Sequence, residues 1–267
     1  MMPPQDDAGG ARPAGRPEAA RTGPKPLGAL RSGSFMVISY ALMGLMGVLG
    51  LPLLLSRRAT HEWMRLYARC ILRLARAFAG IEVEIRGPVP QGAVVIAAKH
   101  QSLLDVYILY CHLPRARFIM KRELLWVPVF GLYTWRIGTV SVVRGKKGES
   151  GRMIEHLKAT TPPESGGQIV VYPQGTRVAP GTAAPYRRGA ALTAEALGRT
   201  VIPASTNTGL FWDPRGRLAG PGTAVLAFHA PIMAENPSSM LHKIEQVLEK
   251  ESDDLVAEAR RQRSLQG

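Results

Sequence analysis

His100 and Asp105, five positions apart, are the residues whose types and spacing first suggest chemistry. A carboxylate held on one imidazole nitrogen fixes the tautomer and leaves the other nitrogen to take a proton, as a general base does. Within one regular helix, five residues would turn the two side chains about 140° apart, so they meet only across a break. Ser102 supplies one. As N-cap of a helix opening at Leu103, it leaves His100 on the preceding loop and puts Asp105 at N3, on the first turn. The same residues also read as a plain capping box beside a satisfied histidine, and alone they do not choose between the two.

The elements that must position this pair are legible around it. Gly92-Ala93-Val94-Val95-Ile96 reads as a buried strand, and Val106-Tyr107-Ile108-Leu109-Tyr110 continues as a helix. A strand that ends in polar residues just before a helix is a usual place for chemistry in an α/β fold. Further strands are expected at 82–86, 93–98, 117–120, 140–144, 168–172, 200–204 and 224–228, and helices at 103–112, 150–159 and 189–197. Asn236-Pro237 opens a last helix to about Arg261. This alternation predicts an α/β domain over 81–267, a mixed, largely parallel sheet covered by helices.

Three segments precede it. Residues 1–34, rich in Pro, Ala, Gly and Arg, read as a disordered basic tail. Phe35 to Leu55 is an uncharged run, about 31 Å long as a helix, and reads as a membrane segment. Basic residues flank both sides, so loop charge does not orient it, and Pro52 with Gly44, Gly47 and Gly50 leaves a shallow or re-entrant course open. Ala59 to Ala79 sets Arg65, Arg69, Arg73 and Arg76 at helical spacing, a basic amphipathic helix suited to an anionic bilayer face.

Lysine and arginine number 34 against 20 acids, a net charge of +14, which favours an anionic partner. Nucleic acid is the weaker choice, because the basic residues are not interleaved with aromatic stacking platforms. Cys70 and Cys111 form no disulfide framework and suggest a reducing compartment. The other histidines lack ligand spacing, so no metal site is expected.

Four blocks, in order, resemble the glycerolipid acyltransferases, the family of 1-acyl-glycerol-3-phosphate acyltransferases. His100 to Asp105 is similar to its His-x4-Asp motif. Gly138-Thr139-Val140-Ser141-Val142-Val143-Arg144 resembles the second block, Tyr172-Pro173-Gln174-Gly175-Thr176-Arg177 the third (most often Phe-Pro-Glu-Gly-Thr-Arg), and Val201-Ile202-Pro203-Ala204-Ser205 the fourth. Stretches around Lys121-Arg122-Glu123-Leu124 and Tyr186-Arg187-Arg188-Gly189 also look like family sequence, and the resemblance covers about residues 60 to 235.

The resemblance implies transfer of an acyl group from a thioester of coenzyme A or acyl carrier protein to a lysophospholipid hydroxyl, with no cofactor. It places the enzyme at a membrane, expected to be the bacterial inner membrane with the catalytic domain on its cytoplasmic face. His100 would be the base and Asp105 its orienting partner. No Gly-x-Ser-x-Gly elbow is present, so direct transfer is expected rather than an acyl-enzyme. Arg144 and Arg177, each following a strand, would hold the acceptor's phosphate bidentately, with Gln174, Gly175 and Thr176 completing the loop. Gln174 replaces the family's usual carboxylate and keeps other acceptors open, lyso-ornithine lipid or glycerol-3-phosphate among them. The apolar stretch holding Leu125, Trp126 and Phe130 suits an acyl groove as well as it suits core. A catalytically silent lipid-binding protein is the rival of another class; an intact His100/Asp105 pair argues against it.

Overall fold

The computed structural model describes residues 27–142, 149–161, 167–213 and 216–265. Seven strands form one sheet in the order β1 (Ile81–Arg86), β7 (Gly222–Phe228), β6 (Val201–Thr206), β2 (Val95–Ala98), β5 (Ile169–Val171), β3 (Arg117–Lys121) and β4 (Val140–Val142). Every neighbouring pair is parallel except β6 with β7. The expected mixed, largely parallel sheet is therefore present. Because β2 to β6 all run the same way, the loops that follow them gather at one edge, where open α/β sheets bind their ligands.

All four residues of β2 are buried, as befits a central strand covered on both faces. Ile96 and Ala98 point into a core shared with α2 (Arg57–Ala79) and α3 (Leu103–His112). Val95 and Ala97 point into a second core shared with α5 (Glu149–Thr160), α6 (Gly189–Leu197) and α7 (Pro237–Ser264). Strand alternation thus assigns successive residues to opposite sides.

The N-terminal helices differ from expectation in three ways. Helix α1 spans Ala29–Leu49, so residues 29–34, expected in a disordered tail, are its first turns; residues 1–26 lie outside the described part. Leu27 donates its N–H to the Leu218 carbonyl at 2.9 Å, and the buried Phe35 ring packs edge-on against Phe78 and Trp212. The apolar run is also not one helix. It stops at Gly50 and continues as a 3₁₀ turn, Leu51–Leu55, because Pro52 has no N–H to extend the α ladder. Helix α1 remains long and apolar enough to cross a membrane, and most of it is exposed.

The third difference concerns α2. Its apolar residues, Ala68, Ile71, Ala75 and Ala79, are buried against α3 and β1 rather than offered to a bilayer. Arg69, Arg73 and Arg76 are exposed, but Arg65 turns inward to the carbonyls of Leu113 and Pro114 at the end of α3, where a cation offsets unpaired helix carbonyls. The amphipathic pattern is present, and the core covers its apolar face.

Candidate active site

The capping box and a His100–Asp105 contact are both present. Ser102 Oγ caps α3 by accepting the Leu104 N–H at 2.9 Å, and Asp105 accepts the Ser102 N–H at 2.8 Å and the Gln101 N–H at 2.9 Å through Oδ2. Its other oxygen, Oδ1, meets His100 Nδ1 at 2.9 Å. Asp105 is wholly buried, whereas the His100 side chain keeps 14% exposure. Nε2 is the nitrogen left for substrate.

A residue that sequence reasoning undervalued completes this pair. The Tyr172 hydroxyl donates to Asp105 Oδ1 at 3.1 Å, and its ring stacks on the imidazole with centroids 3.9 Å apart and planes 20° from parallel. Burial, then the Asp105 charge, pushes the phenol's pKa well above its usual value, so Tyr172 stays a donor. Tyr172 follows β5, the parallel neighbour of β2, and strand pairing brings it to the histidine. The loop beyond is pinned to the same place, for the Val178 N–H donates to the His100 carbonyl at 2.8 Å.

His100 borders a cavity of about 410 Å³, within the range of small-molecule pockets, roughly 300–1,000 Å³. Its walls are mostly apolar and aromatic: Met43 from α1, Met64 and Tyr67 from α2, Tyr107 and Tyr110 from α3, and Phe118 from β3. Lys121, Arg187 and Arg188 also line it. Gly175 holds a left-handed φ of 67°, which glycine adopts without strain, and Arg187 Nε lies 3.6 Å from where a side chain there would begin.

The residues predicted from sequence are therefore only partly brought together. His100, Gly175 and Phe130 line the cavity, and Asp105 stands behind His100. Of the other groove candidates, Leu125 does not line it and Trp126 points outward, 82% exposed. Both precede α4 (Phe130–Arg136) on a 3₁₀ turn, Arg122–Trp126. Thr176 is exposed, and neither it nor the half-buried Arg177 is among the lining residues. Arg144 lies outside the described residues. Gln174 is buried and reaches toward Glu249 on α7, away from the cavity. The cations that do border the cavity sit in the two further stretches of family-like sequence. A paired arginine just before the N-terminus of α6, itself favourable to anions, was the available signal.

An oriented imidazole thus stands beside an apolar cavity with cations at its wall, on the carboxyl edge of an α/β sheet. The model of the acyltransferase family matches residues 80–207 of this chain. The 1-acyl-sn-glycerol-3-phosphate acyltransferase of Pseudomonas aeruginosa is 28% identical over 188 residues, 69% of this chain and 72% of that one. The alpha enzyme of that name from Mus musculus is 29% identical over 196 residues, 71% and 68% of the two chains. Among solved structures, the 1-acyl-sn-glycerophosphate (LPA) acyltransferase of Thermotoga maritima shares the fold, with a TM-score of 0.67 at 22% identity over 85% of this chain and 95% of that one.

Proposed function

We propose that this protein acylates 1-acyl-glycerol-3-phosphate from an acyl thioester of coenzyme A or acyl carrier protein, giving phosphatidate. The observation that carries the reading is His100, held by Asp105 and opening onto an apolar cavity that also presents cationic side chains. His100 Nε2 takes the proton of the acceptor hydroxyl as its oxygen attacks the thioester carbonyl. The tetrahedral intermediate collapses with loss of the thiolate, which recovers that proton from the imidazolium. Asp105 accepts from Nδ1–H throughout, and the atoms balance without a cofactor. Such general base catalysis contributes about 10²–10⁴ in rate.

The cavity takes an acyl chain by burying its methylenes, at about 0.8 kcal/mol each. Lys121, Arg187 and Arg188 supply positive charge for the acceptor's phosphate, a role the sequence reading gave to Arg144 and Arg177. Gln174 lies against α7 and not in the cavity, so its departure from the family pattern no longer favours another acceptor. Helix α1 inserts in the bilayer that supplies the lyso-lipid, with the catalytic domain on the cytoplasmic side, where acyl thioesters are made.

The test is a transfer assay on the full chain in detergent, offering a labelled acyl thioester with 1-acyl-glycerol-3-phosphate, lyso-ornithine lipid or glycerol-3-phosphate in turn. Preferred turnover of the first is expected, and His100→Ala should retain less than about a hundredth of it. Faster turnover of either other acceptor would replace the proposed one, and a variant as active as the parent would remove the base.

A further inference from the structure

Behind the site, on the face of β2 that His100 does not use, lies a charged cluster with no role in the chemistry above. Strand alternation turns Lys99 toward α6 and α7 while His100 faces the cavity. Lys99 is 4% exposed. Its Nζ reaches Glu249 Oε1 at 2.5 Å and the Tyr186 hydroxyl at 3.4 Å, and lies 5.6 Å from the Tyr186 ring centroid. Gln174, also 4% exposed, donates from Nε2 to the same oxygen of Glu249 at 3.4 Å, and its Oε1 is buried without a partner among the described residues. Glu249, Glu245 and Asp253 on α7 all bear electrostatically on the Tyr186 phenol. Met240, Ile244 and Leu248, all buried, seat α7 so that Glu249 faces this corner.

Lys99, Gln174 and Tyr186 come from three separate loops, and each is the chain neighbour of a cavity-lining residue, respectively His100, Gly175 and Arg187. We propose that Glu249 is a positioning residue for the transfer reaction: one carboxylate, supplied from α7, fixes the three loops that carry the base, the glycine turn and the cation. This rests on the proposed chemistry at His100. It also gives residue 174 a reason. A buried lysine needs one counter-ion, and Glu249 provides it. A carboxylate at 174 would set a second anion within hydrogen-bonding distance of the first, whereas an amide donates to it. In this chain the carboxylate that pairs with Lys99 stands at 249, beyond the residues that the family model matches, and 174 carries an amide.

The experiment is a reciprocal exchange in the full chain: Glu249→Gln, Gln174→Glu, and the two together, assayed for kcat, acceptor KM and Tm in detergent. Either single change should lower kcat roughly ten- to a hundredfold, the scale of a charge-assisted bond. The double variant should return to within about threefold of the parent in kcat and recover the lost Tm, because it restores one carboxylate and one amide. Losses that simply multiply in the double variant, or a Glu249→Gln enzyme within twofold of the parent, would overturn the proposal. A single variant that fails to fold leaves the test standing, since the folded double variant is compared directly with the parent. Lys99→Met/Glu249→Leu separates positioning from stability, since it removes the buried cation together with its counter-ion, whose side chain is 35% exposed, and leaves no unpaired buried charge. It should keep its Tm yet lose kcat and raise the acceptor KM while the donor KM stays unchanged, and full activity in that variant would leave the cluster merely structural. If the parent turns over no lyso-lipid, the proposed chemistry fails by itself, and the Tm cycle still decides whether residues 174 and 249 share one charge.

Discussion

Asp105 accepts four close bonds, from His100, Tyr172 and two backbone N–H groups, while wholly buried. With so many donors on one carboxylate, removing one should cost less than removing the carboxylate itself. Tyr172→Phe keeps the ring on His100 and deletes only the 3.1 Å bond. At about 0.5–1.5 kcal/mol, kcat should fall roughly two- to tenfold with acceptor KM and Tm nearly unchanged. A kcat equal to the parent's would show that Asp105 does not need the phenol. The pair itself was legible in the sequence because everything that brings it together is local: a cap, a first turn and a spacing of five. The hydroxyl on Asp105 was not, since it depends on β5 lying beside β2, which no local pattern states. Arg177 failed in the opposite sense. Its place on the loop was right, but a loop's position does not fix which of its side chains borders the cavity.

At the scale of elements, the contact of α2 with α3 is pH-sensitive. His61 Nδ1 and the Tyr110 hydroxyl are 3.0 Å apart, and burial, reinforced by Arg65, lowers the His61 pKa from 6.5 to about 4. Between those values the unfolded chain binds the proton and the folded one does not. Stability from this group is therefore complete above pH 6.5 and is lost as pH falls toward 4. Allowing for the part of the ring that water reaches, the loss is about 1–2 kcal/mol. Melting curves from pH 7.5 to 5 should show a decline that His61→Asn flattens; parallel slopes would refute it. Helices α3 and α6 appeared at their predicted bounds because their caps are written in Ser102 and Gly198. The face of α2 could not be read, because an amphipathic stripe is the same whether lipid or protein covers it. The end of α1 was missed because length and hydropathy outweighed the Gly50–Pro52 break.

At the scale of the molecule, α1 is both an apolar helix and part of the wall of the cavity that His100 borders. Trp63 Nε1 donates to the Met46 carbonyl at 2.9 Å and the Tyr133 hydroxyl to that of Gly47 at 2.8 Å, which seats its C-terminal end on α2 and α4. Met43, one turn earlier, faces the cavity. Met43→Trp should fill part of that space, so turnover of a long-chain thioester (about 16 carbons) should drop roughly tenfold while a short one (about 8 carbons) changes less than about twofold. Equal effects on both would place the acyl chain elsewhere. The shared wall also constrains how this protein can be handled and how it can evolve. A soluble version made by trimming α1 would be a different catalyst, with a breached cavity, and a foreign anchor spliced on in its place would restore the address but not the substrate choice. On the proposed function, selection on the helix for its bilayer and selection on it for its acyl chain act on the same residues, so a lineage that moves to a new membrane must retune the enzyme as it goes.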